Sequence, residues 1–354
     1  MTLIFVIIFI SILILVHEWG HFYAARKLGV KVEEFGFGFP PRLFSAVRGG
    51  IRYSINLLPF GGFVKIFGEH GEGEGDTTSF VSRPAGQRFV ILAAGVGMNF
   101  ALAWFFFSVA AGIGLPQVAG DEAGTAPVSI LAVLPDSPAD RGGLKIGDQV
   151  LEMRSPEVSL RIEKEEDVRR FADAYRGEEV TLVIRRQTEV RELMLTPRAN
   201  VPEGEGPLGI VLGRLVIERA PWYAAPIAGL QSLVRGTAAI ILGFGELIAI
   251  VLTEGRAPAA ISGPIGILLF AQDSRALGIA YFLQFIGILS VNLAVLNFLP
   301  IPALDGGRIF FLLLEKFKGG RISPRVEQSA HLVGFIVLVL LMLMVTYKDI
   351  VRVL

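Results

Sequence analysis

Long apolar runs alternate with polar stretches along this chain, and four of the runs predict membrane-spanning helices. They cover residues 1–25, 88–115, 277–299 and 331–348, close to the roughly 20 residues that a helix needs to cross a bilayer. The first run has no basic segment before its apolar part and no small-residue cleavage site after it. We therefore interpret it as a helix of the protein and not as a signal peptide.

A fifth apolar stretch, residues 222–254, allows two interpretations. Residues 234–252 have the length of a span, yet they include Arg235, Glu246 and several glycines. A helix that lies in the membrane interface fits this composition as well.

Strand-type alternation lies between the first two spans, in residues 26–87. Residues 51–57 alternate between apolar and polar side chains, residues 59–62 predict a turn, and residues 63–67 predict a returning strand. A hairpin this apolar either dips into the membrane as a re-entrant element or lies on its surface. A short strand at residues 34–39 is expected to end at Pro40 and Pro41. Residues 69–79 are rich in glycine and acids and predict a loop, in which we expect His70 to be solvated.

A soluble domain is predicted over residues 127–197, between the second and third spans. Strands are expected at residues 128–134, 149–153, 180–186 and 190–195, the last two as a hairpin. A short helix is expected from Ser137 to the Gly142-Gly143 pair, and a longer one at residues 165–175. This pattern indicates an α+β domain inserted into a helical membrane protein.

The composition supports a polytopic membrane protein and narrows its chemistry. Apolar residues make up 52% of the chain, and the mean hydropathy is +0.58. Basic and acidic residues balance at 33 each, which gives no electrostatic case for nucleic-acid binding. Cysteine is absent and there are four histidines, so any metal must be held by histidines and carboxylates.

The strongest chemical signal is an H-E-x-x-H motif at the end of the first span, formed by His17, Glu18 and His21. Two histidines four residues apart lie about 40° apart on a helix and can bind one ion. Placing ionisable groups in or beside a membrane-spanning segment costs free energy, and such groups usually have a function. A non-haem iron site also uses two histidines and a carboxylate, but the intervening Glu18 favours metal-assisted hydrolysis, in which it acts on a metal-bound water.

A candidate third metal ligand, Asp305, follows the third span. It belongs to the segment N-F-L-P-I-P-A-L-D-G-G-R at residues 297–308, where prolines break the helix and glycines permit close backbone approach. The alternative is that Asp305 is the N-cap of the next helix.

Charge distribution gives a topology that can be tested against this assignment. Arg26 and Lys27 follow the first span, so residues 26–88 are expected in the cytoplasm and the inserted domain outside. The third span then returns Asp305 to the leaflet of the histidines, provided that residues 222–254 do not cross. Basic residues after Asp305 agree with a cytoplasmic loop, namely Arg308, Lys316, Lys318, Arg321 and Arg325.

Taken together, the two motifs resemble the site-2 protease family of intramembrane zinc metalloproteases, and most closely its bacterial regulator-of-sigma-E protease branch. Residues 137–148, S-P-A-D-R-G-G-L-K-I-G-D, resemble a PDZ domain of the bacterial protease type. The resemblance implies that His17, His21 and Asp305 bind Zn²⁺ and that Glu18 is the catalytic base. It also implies that Asn297 binds substrate and that hairpin 51–67 is a re-entrant loop that pairs with unwound substrate. The chain departs from the branch in showing one PDZ-like domain where two in tandem are frequent.

The sequence thus predicts a polytopic α-helical membrane protein with four transmembrane helices, a membrane-associated β-hairpin and an inserted PDZ-like domain. We expect a zinc metalloendopeptidase of the bacterial inner membrane, with the PDZ-like domain outside the cytoplasm. Its expected partners are the lipid bilayer, a single-span membrane protein as substrate, and an extended peptide at the PDZ-like domain. A metal transporter and a non-catalytic PDZ-bearing scaffold remain as alternatives.

Overall fold

The computed structural model describes residues 2–118, 126–186, 188–202, 204–255, 263–276, 278–320 and 322–353. The chain divides into two compact units. The helical unit comprises Met1–Gly112 and Pro221–Leu354, and the sheet unit comprises Ile113–Ala220.

The helical unit begins with helix α1 (Thr2–Lys27), strands β1 (Val32–Arg48) and β2 (Ile51–Ile66), and helix α2 (Ala85–Ile113). Long stretches of both helices are apolar on all faces, which is typical of helices surrounded by lipid and other helices. The predicted helices at 1–25 and 88–115 are therefore present with slightly shifted ends, although Met1 lies outside the described residues.

The predicted pairing within hairpin 51–67 is wrong. Phe35 of β1 pairs with Tyr53 and also with Val64, so the first half of β1 lies between the two halves of β2. The hairpin turn is at Gly49 and Gly50, and β1 continues past the prolines to Arg48 instead of ending there. Alternation predicted the strand segments correctly, but it carries no information on which segments become neighbours.

The elements of the sheet unit are β3 (Leu115–Val118), β4 (Val128–Val133), α3 (Pro138–Arg141), β5 (Gln149–Arg154), β6 (Ser159–Arg161), α4 (Glu165–Ala174), β7 (Val180–Arg186), β8 (Glu189–Leu195) and β9 (Ile210–Glu218). Its strands form one sheet in the order β3-β9-β4-β5-β7-β8, with β6 beside β5. The predicted strands and helices between residues 128 and 195 are confirmed, and their apolar faces share one core around Ile130, Met153, Leu182 and Ile184. Strands β3, β6 and β9 were not predicted. The unit extends beyond residues 127–197 because β9 is part of its sheet.

Five further helices complete the helical unit. They are α5 (Ala225–Glu254), α6 (Pro264–Ala276), α7 (Ile279–Phe298), α8 (Asp305–Lys318) and α9 (Pro324–Val353). Helices α7 and α9 correspond to the predicted spans at 277–299 and 331–348, with Leu277 outside the described residues.

The predicted count of four transmembrane helices is not confirmed. Five helices of the described chain are long and apolar enough to cross a bilayer, and the additional one is Ala225–Thr253 of α5. Helix α5 packs along α2 and α7 through Leu233, Ile240 and Phe244. An interfacial position for residues 222–254 stays a prediction, because length and composition alone allow either placement.

Helices α5 and α7 both start beside the C-terminal half of α2. Trp104 of α2 donates a hydrogen bond to the carbonyl of Pro226 (2.8 Å), and Phe106 lies near Phe9, which in turn stacks edge-on against Phe282 (ring centroids 5.2 Å apart). The chain therefore leaves the C-terminal half of α2 at the start of α5 and is back beside it at the start of α7. From the sequence we expected Asp305 to reach the leaflet of the histidines only if residues 222–254 do not cross. In the structure this condition is not needed, because α7 starts at the same end of α2 whether or not α5 crosses.

Candidate metal centre

His17 and His21 lie on the same face of α1 and are almost completely buried. Their side chains point to one spot because positions i and i+4 are neighbours on a helix. The two Nε2 atoms are 3.1 Å apart, and the residues are 7% and 6% exposed.

Asp305 reaches the same spot from the start of α8, directly after the loop that follows α7. Its Oδ2 atom lies 2.9 Å from Nε2 of His17 and 3.2 Å from Nε2 of His21. The N-cap of α8 is Leu304, and Asp305 is the first residue of the helix, so the N-cap interpretation of Asp305 is wrong.

His21 donates a hydrogen bond to a backbone carbonyl. This bond determines which nitrogen of its ring presents a lone pair to Asp305. Its Nδ1 lies 2.8 Å from the carbonyl oxygen of Ile91, and a carbonyl only accepts, so Nδ1 carries the proton. In the neutral ring, Nε2 then presents a lone pair to the carboxylate of Asp305. Two acceptors at this distance require a proton or a cation between them, which suits a metal site.

Asn99 of α2 can fix the tautomer of His17 in the same way. It is completely buried, its Nδ2 lies 3.4 Å from Nδ1 of His17, and its Oδ1 has no hydrogen-bond partner. With the amide turned by 180°, Oδ1 of Asn99 accepts a hydrogen bond from Nδ1–H of His17, so these two atoms have each other as partners. Nε2 of His17 is then free to bind a metal.

This donor set suits a catalytic zinc ion. Two imidazoles and a carboxylate form a known three-ligand set for catalytic zinc, with a fourth position left for water or substrate. Bonds of about 2 Å to a tetrahedral ion put ligand atoms about 3.3 Å from one another, and the three atoms here are 2.9, 3.1 and 3.2 Å apart. Within the described part of the chain, these residues form the group of histidines and acids that can hold a metal.

Glu18 and Asn297 line the same small cavity as two of the candidate ligands, His17 and Asp305. The cavity has a volume of about 200 Å³ and is bordered by His17, Glu18, Asn99, Asn297, Asp305 and by the apolar side chains of Ile14, Leu293, Ala303 and Leu304. Glu18 accepts a hydrogen bond of 3.0 Å from the backbone amide of Val64 in β2. The strand therefore positions the glutamate, a contact that the sequence did not predict.

Close packing of α1 against α2 depends on two glycines that face each other's helix. A Cβ atom on Gly95 would lie 2.7 Å from Cε1 of His17, and one on Gly20 would lie 2.5 Å from the carbonyl oxygen of Ala94. Gly97 differs from these two glycines, because nothing lies within 4 Å of a Cβ atom added there. His70 is exposed, as expected, and lies outside the ligand group.

Three contacts of the centre could not be read from the motif alone: the carbonyl of Ile91, the side chain of Asn99 and the amide of Val64. Of these, only Asn99 could have been recognised in the sequence. It is the one amide side chain in the long apolar run of α2, where polar residues are usually functional.

Known proteins that are similar to this chain over almost its whole length are named as proteases. The family model described as Peptidase family M50 matches residues 5–341. A Clostridium perfringens protein whose name classes it with the zinc metalloproteases is 34% identical over 352 residues, covering 99% of each chain. Zinc metalloprotease RasP of Shouchella clausii is 28% identical, covering 99% of this chain and 98% of its own. Regulator of sigma-E protease RseP of Salmonella typhimurium is also 28% identical, covering 97% of each.

The alignments with RasP and RseP span 428 and 441 positions, more than the 354 residues of this chain. Both relatives therefore contain segments that this chain lacks.

Proposed function

This chain belongs to peptidase family M50, and on that premise we propose that it cuts the membrane-spanning segments of single-span proteins. It is a zinc-dependent metalloprotease with several helices that can span a membrane. One observation carries the proposal: Asp305 meets His17 and His21 beside Glu18, and the last three lie on α1, a helix long and apolar enough to cross a bilayer. A protease with its centre at this depth is suited to substrates that lie in the membrane themselves.

We assign zinc binding to His17, His21 and Asp305. When bound, zinc lowers the pKa of a water molecule and polarises the substrate carbonyl. The Nδ1 atoms of the histidines, held by the Ile91 carbonyl and by Asn99, keep both Nε2 atoms directed at the metal. The ionised carboxylate of Asp305 is the anionic ligand of the set.

Glu18 transfers the proton in both halves of the reaction. The amide of Val64 holds Oε2, so proton transfer falls to Oε1, which takes a proton from water and later gives it to the leaving amine. Asn297 borders the same cavity, and we assign its amide to the substrate carbonyl, as the site-2 protease resemblance implies. The apolar side chains of Leu293 and Ile14 border the same cavity.

The substrate must arrive as an extended strand. Amides of a transmembrane helix are locked in i→i−4 hydrogen bonds, so its carbonyls reach the centre only after local unwinding. Strand β2, which contacts Glu18 through Val64, is the element that we expect to pair with the unwound segment, as the re-entrant loop of the family does. Substrates are accordingly expected to contain helix-destabilising residues.

An extended peptide is expected at the sheet unit, beside β9. Residues 210–214 of β9 pair with β4, whereas β3 pairs only with residues 215–218. Among the described residues, no strand covers the other edge of residues 210–213, so a peptide can add there as in PDZ domains. A groove of about 550 Å³ runs along this edge, between Val168 and Arg169 of α4 and residues 206–212.

We place the protein in the bacterial inner membrane with the sheet unit outside the cytoplasm. Arg26 and Lys27 end α1, and Lys316 and Lys318 end α8, which favours a cytoplasmic position for both of these ends.

A cleavage assay with product mapping tests the proposed function. The purified protein in proteoliposomes is incubated with a model single-span substrate, with and without a zinc chelator, and the products are measured by mass spectrometry. We expect chelator-sensitive cleavage within the membrane segment, restored by added Zn²⁺ and absent in Asp305→Ala. Cleavage only outside the membrane segment contradicts the proposal. Zinc flux without cleavage would identify a transporter, and zinc-free protein without cleavage would identify a scaffold.

A further inference from the structure

The loop that carries Asp305 depends on the last helix for one of its backbone hydrogen bonds. In residues 299–304, the amide of Ile301 donates to Leu299 (2.7 Å) and that of Leu304 donates to Ile301 (3.2 Å). The two prolines have no N–H. The amide of Ala303 donates instead to Nδ1 of His331 in α9, at 2.7 Å.

Ala303 has a backbone conformation that needs outside support. Its φ angle is +82°, a left-handed value that non-glycine residues seldom adopt and that persists only where surrounding contacts enforce it. Ala303 lies two residues before Asp305 and also borders the cavity at the metal centre. A change in its backbone would therefore move both the candidate ligand and a wall of the site.

His331 is held in one orientation for this contact. Since Nδ1 accepts the amide proton of Ala303, the ring hydrogen must be on Nε2. Phe311 of α8 packs against the ring, with centroids 5.8 Å apart.

Gly334, one helical turn further along α9, touches the same loop. A Cβ there would lie 2.7 Å from the carbonyl carbon of Pro302. Two positions on one face of α9 thus contact the loop, one by a hydrogen bond and one by close packing.

We propose that His331 is a positioning residue that holds Ala303 in its left-handed conformation and thereby directs Asp305 at His17 and His21. The inference rests on the proposed zinc site and adds to it a role for the last helix. The groups that bind zinc are unchanged by substitution of His331, so the expected effect is on affinity and not on the ligand set.

Asparagine and glutamine distinguish the hydrogen bond from general packing at position 331. An asparagine amide oxygen occupies about the position of histidine Nδ1, whereas glutamine carries its amide near Nε2. Both variants are polar and of similar size. The zinc dissociation constant of each full-length protein is measured by competition with a chelator, with the parent and Asp305→Ala as references and thermal unfolding as a check on the fold.

We expect His331→Asn to bind zinc within about threefold of the parent and His331→Gln to bind about tenfold more weakly, the lower end of the usual effect of residues that orient ligands. Equal affinity of parent and His331→Gln, or equal weakening in both variants, overturns the inference. A parent that binds no zinc contradicts the proposed function instead. If His331→Gln does not fold, His331→Leu replaces it, with the same expected loss.

Discussion

Gly95 lies so close to His21 that a methyl group at its Cα would come within 2.8 Å of Cε1 of the histidine ring. Helix α2 can approach the metal centre only because this position has no side chain. Ile91 and Asn99 of α2 are hydrogen-bond partners of His21 and His17. Both hydrogen bonds depend on the close approach of α2 to the histidines.

Gly95→Ala is therefore expected to displace the histidines and abolish zinc binding, with a loss of about 1–3 kcal/mol in stability from overpacking. Gly97→Ala is the matched control, because nothing lies within 4 Å of its added Cβ. Zinc content of the two purified variants is the measurement. Normal zinc in Gly95→Ala would mean that α2 does not pack against the centre in this way.

Asn99 is expected to tune zinc affinity through the tautomer of His17. Asn99→Leu removes the acceptor for Nδ1–H and should weaken zinc binding about 10–100-fold. Asn99→Asp keeps an acceptor and should retain affinity. Chelator competition measures both. Equal affinity in Asn99→Leu and the parent would assign Asn99 to helix packing alone.

The sheet unit is expected to be dispensable for the chemistry. Its first and last strands pair at Leu115 and Glu218, so a linker of a few residues can replace residues 115–218 without separating α2 from α5. Deleting only residues 127–197 would leave β9 without β4 and is the poorer design. We expect the deletion to keep zinc and to cleave a model substrate at the parent rate or faster. A folded, zinc-loaded deletion without activity would contradict this role.

Single cysteines in this cysteine-free chain test the topology. Thr77, Thr188 and Ser323 are exposed, whereas Ser79 is completely buried and unsuitable. An impermeant thiol reagent added outside should label Thr188→Cys but neither Thr77→Cys nor Ser323→Cys. Outside labelling of Ser323→Cys together with protection of Thr188→Cys would invert the proposed orientation.

Local sequence patterns predicted the parts of the structure that depend on neighbours along the chain. The i, i+4 spacing of His17 and His21 and the helix lengths are of this kind, and Asp305 was added from topology. Pairing of β1 with both halves of β2, and the contacts of Asn99 and His331, arise between segments distant in sequence. Periodicity reports which face of a segment is apolar, but not which partner covers it, so these contacts required the structure.

The central claim is that Glu18 performs proton transfer at a zinc ion held by His17, His21 and Asp305. The most direct measurement is zinc content together with the cleavage rate of a model single-span substrate for purified Glu18→Gln. We expect Glu18→Gln to contain zinc at the parent level, since no ligand is removed. Its cleavage rate should be lower by about 10²–10⁴-fold, the usual contribution of a general base. Cleavage near the parent rate, or loss of zinc from this variant, would contradict the central claim.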